Sequence, residues 1–295
     1  MRAEPNRPLF ESLLFPIGAV LTVLALSLAT GAIPQGLQIA VLLGLVVVLG
    51  LPHGALDPWI AESSGLIEGR LQTVVFNALY LVIAAAVIAA WWWSPGLTLL
   101  GFLMISAWHF SEDWRDELPR WARLPSGALL LLMPIGFHAD TVAELFAMLS
   151  GEAGAAVAQG LALPPALLAV AMLTLSGIAL LRQQHWAAVE LLALLALAWI
   201  APPLVYFAVY FCLQHSPRHL LGHFREAGAA QTRRLMVMAV VYTLGSVLVL
   251  VPLLWLWSDL PLESLLMRLI FIGLAALTVP HMILMLITES RRHKG

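Results

Sequence analysis

Apolar residues in this chain fall in long blocks, separated by short polar, proline or glycine breaks, with little of the alternation that marks a half-buried strand. A helix needs about 20 apolar residues to cross a bilayer, and spanning backbone must satisfy its hydrogen bonds within itself. The pattern therefore predicts a series of helical segments at 12–31, 36–58, 72–93, 97–111, 125–138, 163–181, 186–200, 203–222, 234–257 and 264–288. Those at 97–111, 125–138 and 186–200 are shorter than the usual minimum of about 17 residues. The expectation is an all-α, polytopic integral membrane helix bundle of about 8–10 transmembrane helices, in a single domain over 1–295. The first block exceeds the apolar core of a signal peptide, about 7–15 residues, and leads straight into another span. The stretch 139–162, with Asp140, Glu144 and Glu152 among small residues, is expected to be the longest connection and partly helical.

Composition agrees with this pattern. The chain is 61% hydrophobic and 11% charged, where soluble domains carry about 25% charged residues. Arginines test the segment count independently. Arg2 and Arg7, Arg70, the Arg115/Arg120/Arg123 group, Arg182, Arg225/Arg233/Arg234 and Arg291/Arg292 with Lys294 fall in alternate loops, and the loops between them lack lysine and arginine. By the positive-inside rule both termini are cytoplasmic in a multi-pass inner (plasma) membrane protein. Arg268 alone breaks the pattern and is expected to pair with Glu263 or to snorkel toward the surface. The lack of basic clusters argues against nucleic acid as a partner. A single cysteine, Cys212, excludes a disulfide framework and cysteine-based metal sites. The only lysine, Lys294, lies at the C-terminus, so no helix offers one for a retinal Schiff base.

Candidate chemistry lies in the histidines. His215, His219 and His223 recur every four residues, which on a helix stacks them on one face. His53 and His109 lie near the arginine-bearing ends of their segments, and His281 lies about two turns inside the last. Counted inward, His53, His109, His215, His219 and His281 come to similar depth on different helices. Intramembrane polar residues are costly and tend to face the bundle interior, so five at one depth point to a shared site. An all-imidazole site suits iron, zinc or copper. His138, His185 and His293 read as interfacial or exposed.

Prolines 52, 217 and 280 adjoin these histidines. Each removes an amide donor and bends its helix, which aims the imidazoles and frees carbonyls to bond them. Asp57 follows His53 by four residues, and Glu112 and Asp113 follow His109 by three and four, so a continuing helix would set them on the histidine's face as hydrogen-bond partners of its distal nitrogen. The aromatic residues Trp108, Phe110, Tyr206, Tyr210 and Phe211 flank the histidines as candidate tunnel walls, with Met104 and Met282 as adaptable ones.

Three motifs, GLPHGALD at 50–57, SAWHFSED at 106–113 and QHSPRHL at 214–220, resemble those of the Brp/Blh family of membrane β-carotene 15,15′-dioxygenases in order, spacing and flanking residues. The resemblance implies a ferrous centre, Fe(II), held by His53, His109, His215 and His219; outside it, spacing and depth leave Asp57, Glu112, His281 and His223 as candidates for supporting residues or extra ligands, with packing the alternative for His281 and His223. It further implies a carotenoid substrate, O2, surrounding membrane lipid and a retinal product that a retinal-binding rhodopsin takes up. Two other readings stay open: a di-iron membrane desaturase or hydroxylase, since HxxxH pairs are present, and a transporter with buried histidines as a proton relay.

Overall fold

The computed structural model describes residues 8–292, so Arg2, Arg7, His293 and Lys294 lie outside the described residues. Proline starts many of the helices. Pro8, Pro34, Pro119, Pro164 and Pro202 stand at helix N-caps, and Pro95 in the first turn of another, where the missing amide would have no intrahelical partner. The helices are α1 (Leu9–Leu28), α2 (Gln35–Leu45), α3 (Asp57–Ser63), α4 (Gly69–Trp93), α5 (Pro95–Ser111), α6 (Arg120–Phe137) and α7 (Ala139–Leu161). There follow α8 (Pro165–Leu181), α9 (His185–Ile200), α10 (Pro203–Tyr210), α11 (Ser216–Ala227), α12 (Thr232–Leu256) and α13 (Leu262–Arg292). The described residues contain no strand.

The result is an all-α bundle of membrane-spanning helices. By length and composition, 6 of its helical runs are long and apolar enough to cross a membrane; one of them, α7, folds back on itself partway and so does not run straight across. The apolar residues of α4 and α12 mostly face outward, whereas Leu191, Leu194 and Leu197 of α9 are fully buried. Arginine-bearing loops gather at one end of the bundle. Arg225 pairs with Glu11, Arg234 with Glu62 and Arg115 with Glu289, while Arg182 and Arg291 donate to the carbonyls of Glu117 and Gly65.

At the opposite end, 139–162 is more ordered than a partly helical loop. Its helix α7 reverses at Ser150 and at Gly151, whose φ of 61° lies in the region that favours glycine. The two arms fold back so closely that a Cβ at Gly154 would fall 2.0 Å from the Phe146 carbonyl oxygen. Trp91 Nε1, donating toward Leu149 O and Ser150 Oγ at 3.2 Å each, fastens this hairpin to the bundle. Trp91 is thereby buried, while Trp92 and Trp93 stay exposed as an interfacial pair. Arg268 takes neighbours other than Glu263: it donates to the Met148 carbonyl at 3.0 Å and lies over the Trp257 ring.

Two widened turns set the geometry of the interior. Residues Val46–Gly50, after α2, and Phe211–His215, between α10 and α11, are π-helical. Pro52 and Pro217 each follow two residues later. A wide turn relieves the clash between a proline ring and the preceding turn, and such bulges gather at functional sites. The two turns face each other. The Ser216 hydroxyl donates to the carbonyls of Leu49 and Gly50, and a Cβ at Gly50 would fall 2.6 Å from the Phe211 ring.

Candidate metal centre

The paired π-turns bring His53 and His215 together, with ring centroids 5.2 Å apart. His109, at the end of α5, reaches the same place because α5 and α6 approach at backbone distance: a Cβ at Gly127 would fall 2.0 Å from the Ala107 oxygen. His219 arrives one turn after His215, and His281 comes from α13 after Pro280. All five histidines that share a depth in the sequence therefore converge. His223 does not join them; it packs on Trp59 and faces Glu226.

Hydrogen bonds fix which ring nitrogen faces inward. His53 Nδ1 donates to the Gly50 carbonyl at 2.6 Å, at the end of the wide turn, where the Ser216 hydroxyl also donates. His215 Nδ1 donates to Asp113 Oδ1 at 3.0 Å, and His281 Nδ1 to Asp57 Oδ1 at 2.7 Å. In a neutral ring bonded in this way, Nε2 carries the lone pair. His219 is held the other way round, with Nε2 3.1 Å from Asp113 Oδ1. The Nε2 atoms of His109 and His215 lie 3.0 Å apart, a separation that calls for a shared proton or a cation between them.

These residues fit a metal ion. An imidazole nitrogen sits about 2.1 Å from a first-row metal, which places ring centroids roughly 4.6 Å apart at right angles and roughly 6.5 Å apart when opposed. The observed separations run from 4.6 Å for His109–His215 and His215–His219, through 5.2 Å for His109–His281, to 6.4 Å for His53–His109. Ligand atoms of His53, His109 and His281 lie within 4.8 Å of one another, as do those of Asp113, His215 and His219. Carboxylates on the distal nitrogens are the usual support for liganding histidines.

The carboxylate partners differ from those expected by helical spacing. Asp57 bonds His281, not His53, and Glu112 pairs with Arg115 at 2.5 Å at the surface. Asp113 is the residue that turns inward. Short 3-10 turns at Gly54–Leu56 and Glu112–Trp114 rotate these side chains away from the positions a continuous α-helix would give. Behind Asp113 lies a further layer. Tyr210 donates to Asp113 Oδ2 at 2.6 Å, Arg218 donates to the Asp113 carbonyl at 2.7 Å and to buried Glu190 at 2.5 Å, and Trp114 donates to Glu190 at 3.1 Å. The sequence signals for this layer are the aspartate of SAWHFSED, Gln214 and Arg218 of QHSPRHL, and the lone Glu190 inside the apolar block 186–200.

His53, His109 and His281 also form part of the wall of a cavity of about 450 Å³ that runs to the α7 hairpin. Its other walls are mainly apolar, among them Ala84, Leu103, Phe146, Phe207, Leu250 and Phe271. Of the five aromatic residues expected there, Phe110 and Phe211 line it. Tyr206 is buried elsewhere with its hydroxyl on the Leu130 carbonyl, Tyr210 supports Asp113, and Trp108 is 37% exposed. Met104 faces outward and Met282 is buried.

Residues 44–288 match the family model described as Beta-carotene 15,15′-dioxygenase. The chain belongs to this family. The match takes in all three motifs and His281. A β-carotene 15,15′-dioxygenase from uncultured marine bacterium 66A03 is 33% identical over 266 residues, which cover 82% of this chain and 90% of that protein. A probable β-carotene 15,15′-dioxygenase Blh from Halobacterium salinarum is 26% identical over 250 residues, 75% of this chain and 72% of that protein. No solved structure matches. For a member of the β-carotene 15,15′-dioxygenase family, the buried imidazole cluster beside an apolar cavity is the part of the fold with the means to do chemistry.

Proposed function

We propose that this chain cleaves β-carotene at its central 15,15′ double bond with O2, giving two molecules of retinal, at one ferrous iron held by His53, His109, His215 and His219. The observation that carries the reading is the opening of the imidazole cluster into an apolar cavity, in a chain whose relatives are named for this reaction. The reaction balances without an outside reductant: the carbon–carbon double bond and the oxygen–oxygen bond both break, and each carbon takes one oxygen. Iron, when bound, supplies the activation of O2, and neutral imidazoles suit it in an apolar interior.

The protein's own residues then position and shield. Gly50 O orients His53, and Asp113 orients His215 and His219, so their lone pairs are fixed before substrate arrives. The apolar walls take up a rod-like polyene and exclude water, and holding one double bond beside the cluster is worth more to the rate than any single contact. Phe110 and Phe211, next to the histidines, stabilise positive charge that develops on the polyene.

The arginine-bearing end is the cytoplasmic face of the inner (plasma) membrane, by the positive-inside rule, with surrounding lipid as the source of the substrate. A retinal-binding rhodopsin is the expected user of the product. A di-iron desaturase reading draws on the second ligand group, Asp113 with His215 and His219; a metal count decides, since the dioxygenase reading requires one iron per chain. Expression in cells that accumulate β-carotene tests the activity. Loss of orange colour with appearance of retinal is the expected result, and carotenoid that persists beside well-expressed, iron-loaded protein would overturn it.

A further inference from the structure

We propose that His281 is a fifth ligand of the same metal, on its cavity side, held in place by Asp57 and Tyr80. The inference rests on the iron site proposed above and adds a residue to it. His281 Nδ1 is engaged by Asp57 Oδ1 at 2.7 Å, which in the neutral ring that a metal binds leaves the lone pair on Nε2. The ring lies 5.2 Å from His109 and 5.9 Å from His53, centroid to centroid, within the span that imidazoles around one ion occupy. Its environment repeats that of His215: a buried carboxylate on Nδ1, with the other nitrogen toward the cluster.

Asp57 needs an explanation of its own. It is 1% exposed, and its second oxygen accepts from the Tyr80 hydroxyl at 2.9 Å, a hydroxyl that α4 brings to within 3.1 Å of the Leu277 carbonyl on α13. Segments from α3, α4 and α13 thus converge to bury one carboxylate. An ionised carboxylate in an apolar interior is expensive unless a cation compensates it; no arginine pairs with Asp57 among the described residues, so the compensating charge is the His281 imidazolium or a metal that His281 ligates. Asp113 stands likewise on the other side of the cluster. Two carboxylates, each one imidazole away from the centre, together balance the double charge of a ferrous ion. In that balance His281, like His215, connects a carboxylate to the metal.

With five imidazoles, a six-coordinate ion keeps one position for O2 or another small ligand. His53, His109 and His281 then form the cavity wall, and His215 and His219 lie behind them.

The test uses the full chain in detergent and measures ferrous affinity by chelator competition, with the visible spectrum of the cobalt(II)-loaded protein as a report on coordination. His281→Ala removes the ring. His281→Asn is the sharper variant, because its amide still donates to Asp57 from the Nδ1 position while the inward nitrogen is gone. Both should hold iron at least 10-fold more weakly, and His281→Asn should alter the cobalt spectrum; Asp57→Asn should lose 10–100-fold in affinity. Asn77→Ala, in the same cavity but outside the cluster, should do neither. A folded His281→Asn protein with wild-type iron affinity and cobalt spectrum overturns the proposal alone. Wild-type protein that takes up no iron overturns the iron site itself.

Discussion

Asp113 Oδ1 lies 3.0 Å from His215 Nδ1, at a point where both side chains are fully shielded from solvent. A carboxylate so placed sets the tautomer of the ring and raises its basicity as a ligand. It also accepts from His219, so a single oxygen orients two of the proposed ligands. Asp113→Asn keeps the shape but removes the charge and half of the acceptor capacity. Iron affinity, read by chelator competition, should fall 10–100-fold; an unchanged value would separate Asp113 from the metal.

Ser216 ties the two π-turns by donating to Leu49 and Gly50. Ser216→Ala leaves buried carbonyl capacity unmet at a cost of about 1–3 kcal/mol. A lower unfolding midpoint in detergent should accompany a fall in retinal formation, because His53 and His215 ride on the turns it joins.

Gly127 allows α6 to meet α5 beside His109. Its absent Cβ would lie 2.0 Å from the Ala107 oxygen and 2.8 Å from the Ser111 nitrogen, both backbone atoms that cannot swing aside. Gly127→Ala should therefore destabilise by about 1–3 kcal/mol or more and loosen iron by displacing His109. Gly245→Ala provides the contrast, since nothing lies within 4 Å of the added carbon; stability there should hold or rise.

The legibility of this molecule in its sequence follows from cost. Polar residues within apolar blocks are rare enough that the depths of His53, His109, His215, His219 and His281 pointed to one location, and the structure brings all five there. The carboxylate partners were not legible in the same way. Spacing of four residues matches faces only on a continuous α-helix, and the 3-10 turns after His53 and before Arg115 break that continuity. Asp57 thus serves a histidine 224 residues away. Similarly, 139–162 carried acidic and small residues that read as a connection, and with glycines at 151, 154 and 160 the sequence did not single out 151 as the point of reversal. The prolines were legible as breaks; that two of them would be preceded by π-turns facing each other was a tertiary outcome.

Glu190 is 1% exposed and accepts from Arg218, Trp114 and Gln214. Glu190→Ala leaves the partly buried Arg218 without this counter-ion, a change whose upper bound is the cost of about 3–5 kcal/mol for breaking a fully buried pair. Since Arg218 also holds the Asp113 carbonyl, the loss should appear both as a lower unfolding midpoint and as weaker iron retention.

Ala84 lies in the cavity wall away from the cluster. Ala84→Phe should leave iron content at wild-type level while raising KM for β-carotene, or shifting preference to shorter polyenes. An unchanged KM would place the substrate elsewhere.

The central claim is symmetric cleavage at one iron, and product analysis on purified protein loaded with one ferrous equivalent tests it most directly. The account predicts two retinal molecules for each β-carotene and each O2 consumed. Pairs of apocarotenals of unequal length, or no consumption of β-carotene by the iron-loaded protein, would contradict it.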